Sequence, residues 1–380
     1  MVLHDFDEFQ HLSERLSFHW QLGPENVLLL ILEDKPLPDE DRGLVLAALN
    51  YLRLAYGSRT RRLGTLSVLH PLRATTLLAR VLDRVGGLEL LVELLHDKLE
   101  DITNEGRSAS ECQKLERAWQ DILGRLDDDG RWYLQERLDW LTRPDSETYQ
   151  HYVGRCLDHY AHTPEVVRAK LADRLDNSLD LRIALTDPVN EPEFFLTMFE
   201  VMFLDQTFQG YRARDPHPGT VVINGANRLY QLFKNSVVLS LIRYKKLHLD
   251  DPPAKRLFDS LVIASKREAE RVLMHIWGYH YKEIARQRAL VVDTMEYVRS
   301  GGIDRVSAAG ERHRLDGLFA GVFDALARPV RKQRLEVLYK NKELMIEAAL
   351  AFVILFMRFE LDPEYYVRGI TDQGIVTESP

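Results

Sequence analysis

Residues 94–101 read Leu-Leu-His-Asp-Lys-Leu-Glu-Asp. The pair His96-Asp97 is followed within one helical turn by Glu100-Asp101, which gathers imidazole and carboxylate at short range. At about 100° per residue, Leu88, Leu91, Leu95, Leu99 and Ile102 fall within roughly 40° of one line on a helix. His96, Asp97, Glu100 and Asp101 crowd the opposite side, so the spacing predicts one packed face and one face of acid and imidazole. Two other stretches offer matching groups. His70 stands at the mouth of a helix marked by Pro71, since a proline is favoured in a first turn where its missing N–H has no partner. Asp173 lies opposite the stripe Val167, Leu171 and Leu175. Two imidazoles and two carboxylates form a mixed nitrogen–oxygen donor set. It suits a divalent transition metal such as manganese, iron or zinc better than calcium, which prefers oxygen alone. Such a cation, held with open positions, polarises a phosphoryl oxygen and brings the pKa of a bound water toward neutrality. Glu100 and Asp101 then stand where they can orient that water and handle its proton.

The elements that must position these groups are helices. Two short ones are expected over 6–32, broken at Pro24, and another over 40–56 with acids in its first turn. The helix from His70 runs to about Val85. Gly86-Gly87 opens a single central helix that ends near Asn104-Glu105-Gly106. Segments 109–126 and 131–142 read as helices separated by Asp127-Asp128-Asp129-Gly130, a solvated turn whose spacing does not match a calcium loop. A helix over 147–160 precedes Thr163-Pro164, cap and first residue of the helix that carries Asp173. A Phe-rich helix over 194–208 closes a first domain, 1–208. Residues 209–219 have linker composition. The second domain, 220–367, reads as long helices over 226–247, 254–299, 310–327 and 330–359 after a strand-like 220–223, and 368–380 as a flexible tail. The expected fold class is therefore all-α: a helical bundle followed by a second helical domain. His275 and His280, about 140° apart on a helix, read as structural, and Arg328–Arg334 as a solvated helix start. The apolar run Ala348–Met357 reads as core, or else as the face through which C-terminal helices form a homodimer.

Composition removes several classes. With 380 residues, 45% hydrophobic, the chain can bury a large core. A formal charge of -8 gives no general attraction for nucleic acid or an anionic membrane, so a phosphate-bearing ligand must be drawn by local arginines and lysines. Two cysteines are too few for a disulfide framework, which points to a reducing cytoplasm. The N-terminus lacks a basic region followed by an apolar core, and no apolar run reaches the roughly 18–20 residues of a bilayer span.

His70-Pro71-Leu72, His96-Asp97-x-x-Glu100-Asp101 and Lys170-Leu171-Ala172-Asp173-Arg174-Leu175-x-Asn177 resemble, in order, the motifs of the hydrolase domain of the RelA/SpoT alarmone enzymes, a branch of the HD superfamily. The resemblance covers roughly residues 40–205. It implies an HD-type bundle in which His70, His96, Asp97 and Asp173 hold manganese. Glu100 and Asp101 would be the catalytic acid pair that activates water against the 3′-pyrophosphate of guanosine tetra- or pentaphosphate. Arg61 resembles the arginine beside the guanine, Arg62 stands where the family has a lysine, Asn177 matches the asparagine that contacts the nucleoside, and Lys170 partners a ligand carboxylate. The family's last motif usually continues His-Asn-Met-Arg-Thr, whereas here it reads Asp176-Asn177-Ser178-Leu179-Asp180. Leu179 and the added charge of Asp180 on the ligand side leave a different nucleotide as an alternative substrate. The helical remainder has no place for the family's α/β synthetase domain, so the expected activity is hydrolysis alone. A non-catalytic nucleotide sensor acting through the helical C-terminal domain is the reading from another class.

Overall fold

Side-chain oxygens start many of the helices, and glycines end several. The computed structural model describes residues 3–61, 65–180, 191–204, 224–247, 250–280, 283–306 and 313–376, without the side chains of 191–195, 197 and 278–280. Asp5 accepts the Glu8 N–H at 2.9 Å and opens α1 (Phe6–Leu22). Gly23, at a φ of 143° that favours glycine, joins it to α2 (Pro24–Leu32). α3 (Asp39–Tyr56) carries three acids in its first turn and stops at Gly57. Then come α4 (Leu69–Val81), α5 (Gly87–Leu95) and α6 (Lys98–Asp101). α7 (Ala109–Gly124) begins with a reciprocal Ser108–Glu111 capping box. α8 (Asp128–Leu141) is capped by Asp127, which accepts the Gly130 N–H at 2.8 Å. The three aspartates are thus the start of a helix rather than a separate turn.

The chain continues through α9 (Tyr149–Asp158), α10 (Pro164–Leu179), α11 (Glu191–Phe203), α12 (Gly225–Tyr244), α13 (Pro252–His280), α14 (Ile284–Arg299) and α15 (Gly302–Arg305). A π-helical turn at Leu318–Phe323, α16 (Arg328–Lys340) and α17 (Lys342–Leu361) complete the helices. The fold is all-α. Among the described residues the only sheet is an antiparallel hairpin of β1 (Ile370–Thr371) and β2 (Gly374–Ile375).

Packing gathers the chain into two compact units that interleave along the sequence. One takes in Met1–Pro144, Cys156–Asn177 and Asp250–Leu257; the other Asp145–Arg155, Ser178–Leu249 and Phe258–Pro380. The linker expected over 209–219 and the strand-like 220–223 lie outside the described residues. In the first unit α3 packs on α5 and α7, and α4 on α1, α2 and α5. In the second, the rings of Phe233, Phe319, Phe323, Phe352 and Phe356 form the centre, so most of Ala348–Met357 is core. Arg328–Arg334 opens α16 and is largely exposed. Among the described residues, no helix is long and apolar enough to cross a membrane. Both cysteines are free thiols.

Four more expectations are corrected. The single helix over 254–299 is two, α14 starting at Ile284 after Glu283. The single helix over 330–359 is also two, because the Asn341 side chain accepts the Leu344 N–H at 3.1 Å and caps α17. Within 310–327 the described part forms the π-helical turn, entered from Gly317 at a φ of 73°. The described part of the expected loose tail, up to 376, forms the hairpin, with Ile370 buried.

Candidate metal centre

α4 is buried on nearly every side, so its polar groups must find partners within the protein. Thr75 and Thr76 donate their hydroxyls to the carbonyls of Pro71 and Leu72, each at 2.7 Å. His70 and Arg73, one turn apart, point to the same carboxylate: Asp176 of α10 accepts from His70 Nδ1 at 2.5 Å and from Arg73 Nε at 2.6 Å. Arg73 also donates to Ser13 at 3.3 Å and lies 4.9 Å over the Phe9 ring, both on α1. His70 is thereby fixed from behind.

The central helix does not run through to residue 104. α5 ends at Leu95, anchored by Leu90, Leu91, Leu94 and Leu95, each buried and each contributing about 1.5–3 kcal/mol. His96-Asp97 then turns, Asp97 adopting φ -89° and ψ 5°, the sparsely populated region between helix and strand. Adjacent residues of a continuous helix diverge by about 100° and do not face one point. The turn lets both side chains do so. One consequence is that Leu99 leaves the packed stripe and stands 42% exposed.

His70, His96, Asp97 and Asp173 converge. His70 Nε2 lies 3.2 Å from His96 Nε2, 3.2 Å from Asp97 Oδ2 and 3.4 Å from Asp173 Oδ1. His96 Nε2 is 3.3 Å from Asp97 Oδ1 and 4.0 Å from Asp173 Oδ1. Ligand atoms about 2.1 Å from a first-row cation, at angles of about 90–109°, stand about 3.0–3.4 Å apart. His70, His96 and Asp97 fit such a cation, with Asp173 Oδ1 beside them at 3.4 Å from His70.

Hydrogen-bond direction strengthens the case. The Glu93 carbonyl can only accept, so His96 Nδ1, 2.7 Å away, carries a hydrogen. Asp176 is ionised: burial works against its charge, but Arg73 and His70 hold its pKa down at about 2. His70 Nδ1 therefore donates too. In their neutral forms both Nε2 atoms aim lone pairs at each other and at two carboxylates, an arrangement that repels unless protons or a cation sit among them. Without a metal, protons take that place. Desolvation opposes it, yet Asp97 lifts the His96 pKa to about 9, and Asp176 and Asp173 lift that of His70 against burial and Arg61. Asp97 is held well below the usual carboxylate range by the two histidines, and Asp173 by Lys170 and the histidines, in each case against desolvation.

Compared with known families, curated proteins and solved structures, the chain matches none. The centre is read from its own geometry.

Around it, Lys170 Nζ donates to Asp173 Oδ2 at 2.7 Å, as the sequence suggests. Asn177 spends its amide on Asp173, donating to Oδ1 at 2.5 Å and to the backbone carbonyl at 3.0 Å. Glu100 and Asp101 lie on α6, exposed beside the ligands, and Glu100 Oε1 accepts the Arg143 N–H at 2.8 Å. Partial desolvation, and then the charge of Asp97, push both carboxyls above the ordinary range. Arg61 acts electrostatically on both Asp101 and His70. Arg62 lies outside the described residues. Asp180 is buried just past the end of α10, and Leu179 before it is buried as well.

Sequence reasoning missed three contributors. Arg73 and Asp176 each sit three residues beyond a ligand, on the same helix side, which is the signal that could have found them. Glu93, three residues before His96, is fully buried, and neither of its carboxyl oxygens is hydrogen-bonded among the described residues. Burial pushes its pKa to about 8, so it is protonated at neutral pH.

Proposed function

We propose that the chain is a metal-dependent phosphohydrolase of the HD type, resembling the RelA/SpoT hydrolases, that removes pyrophosphate from guanosine tetra- or pentaphosphate. The observation that carries this reading is the convergence of two outward-anchored histidines and Asp97, with Asp173 beside them. His70, His96, Asp97 and Asp173 would hold the cation, and the mixed nitrogen–oxygen set suits Mn²⁺. When bound, the cation supplies Lewis acidity and a more acidic water.

The protein's own residues do the remaining work. Asp176 and the Glu93 carbonyl hold the two imidazoles so that Nε2 faces inward. Lys170 and Asn177 fix the rotamer of Asp173. Glu100 and Asp101, with carboxyls raised toward neutrality, are suited to take a proton from attacking water and return it to the leaving group. Arg61 brings positive charge to the side of the centre where Asp101 stands, which favours an anionic substrate.

The test is release of pyrophosphate from guanosine tetraphosphate by the purified chain with Mn²⁺, set against Asp97→Ala. Turnover by the wild type and none by the variant supports the reading. A fully metal-loaded wild type that leaves this substrate intact but releases phosphate from another nucleotide keeps the hydrolase and removes the alarmone. Leu179 and Asp180, where the resemblance departs, favour that second reading.

A further inference from the structure

α11, α14 and α17 border an apolar groove of about 700 Å³, in which Met198, Met202, Met295 and Met357 supply much of the wall. Hydrogen bonds to backbone carbonyls tie the groove's elements together. Arg288 of α14 donates to Val201 of α11 at 3.1 Å, and Arg358 of α17 to Val298 of α14 at 3.1 Å. Beside the groove stands a ridge. Leu196, Phe199 and Phe203 recur at i, i+3 and i+7 on α11, Phe199 being 51% and Phe203 65% exposed, with the two phenyl centroids 5.0 Å apart. On a helix this ridge is about 110° round from Met198 and Met202, so ridge and groove are neighbours on one surface.

The rim carries both signs. Glu296 and Arg299, both exposed, border the groove, and among the described residues neither side chain has an ion pair. Leu196, Phe199, Phe203, Leu204, Val292 and Met295 are each about half exposed or more. At about 150–250 Å² per aromatic side chain, they leave on the order of 600 Å² of apolar surface in water, the upper end of what a monomer carries in one patch and often a functional surface.

We propose that this surface is the contact between two copies of the chain, related by a two-fold axis so that the ridge of each seats in the groove of the other. A two-fold contact pairs one patch with itself and therefore needs knob, hole and both charges on the same face. This face has all of them. Methionine walls adapt to an inserted ring, and Glu296 of one copy meets Arg299 of the other at the rim. The apolar patch with its rim approaches the roughly 800 Å² per partner of a stable dimer.

Sedimentation velocity on the full chain, from 1 to 100 µM, tests it on the order of the affinities such interfaces reach. The wild type is expected to be a dimer, and Phe203→Glu, at an exposed position, a monomer with an unchanged circular dichroism spectrum. Glu296→Arg and Arg299→Glu should each weaken the dimer about tenfold through like-charge contact, and the double exchange should restore it. A monomeric wild type overturns the proposal, and so does a Phe203→Glu dimer or a double exchange no tighter than the single ones. A monomer that carries a co-purified amphiphile, seen by native mass spectrometry, would also overturn it and assign the groove to a small ligand.

Discussion

Two regions of the molecule bring histidine and carboxylate together, and the hydrogen bonds behind their rings run in opposite directions. His70, His96 and Asp97 offer ligand atoms within 4.8 Å of one another, and so do Asp293, His313 and Glu347. In the first group both Nδ1 atoms donate outward, so both Nε2 atoms face inward as the nitrogens a cation could reach once their protons leave. In the second, His313 Nδ1 accepts the Leu315 N–H at 3.0 Å, so Nε2 carries the hydrogen and donates it to Asp293 at 2.9 Å. A cation is already present there as well: Arg314 reaches Glu347 at 2.5 Å, Glu343 at 2.7 Å and Asp293 at 3.5 Å. The same residue types give opposite answers because the direction of one hydrogen bond sets which nitrogen is available. Composition nominates a site, and whether the group behind the ring accepts or donates sets which nitrogen is offered.

The sharpest way to break this comparison is to remove one ligand from each group. Asp97→Ala is expected to abolish bound metal and lower hydrolysis by about 10³-fold or more, measured by metal analysis and pyrophosphate release. If Asp97→Ala retains a full equivalent of metal, the first group is not the centre.

The next largest effect lies behind His70. Asp176→Ala strands Arg73 in the interior without its partner, and loss of one member of a buried pair costs about 3–5 kcal/mol, readable in urea unfolding. The matching change in the other region, Glu347→Gln, should stay within about 1 kcal/mol. Desolvation, opposed by Arg314, brings the Glu347 pKa to about 7, so an amide replaces a group that is half protonated already. Equal losses from the two variants would erase the distinction.

Asp176→Asn keeps the shape and weakens the anchoring charge. Metal affinity should fall about 10–100-fold while circular dichroism stays native, and titration calorimetry would show it.

Acidity sharpens the comparison further. The His96 pKa, about 9 in the metal-free fold, lies above its ordinary unfolded value of about 6.5. Its contribution to stability is therefore complete below about 6.5 and lost as pH rises through about 9. Metal-free protein should melt lower at pH 9 than at pH 7. Mn²⁺ should bind more tightly over the same interval, by up to about tenfold per unit for each proton displaced. Affinity that is flat with pH would mean that no proton leaves the centre.

The smallest effect is expected from His313→Ala, which should leave metal content and turnover unchanged. Lost metal in that variant would place a second cation where Arg314 now stands.

The all-α class was legible because apolar residues recur at helical spacing along most of the chain. The meeting of His70, His96, Asp97 and Asp173 was legible too, since their types and order along the chain already suggested one cluster. Helix breaks were not. Asn341, Glu283 and Asp97 occupy positions where a polar residue also fits a continuous amphipathic helix, so periodicity passes over them. The outer partners Arg73 and Asp176 left only their spacing, three residues beyond His70 and Asp173, because the two lie 103 residues apart and nothing local shows that they pair.

The contact of Arg73 with Ser13 and Phe9 extends the centre to the first helix of the chain. Trimming the protein past Phe9 and Ser13 would spare every candidate ligand and still remove two of the contacts that hold the guanidinium behind Asp176. The opening helix is thus core and brace at once, since Phe6, Phe9 and Leu12 are buried, and its loss would cost stability together with the support behind Asp176.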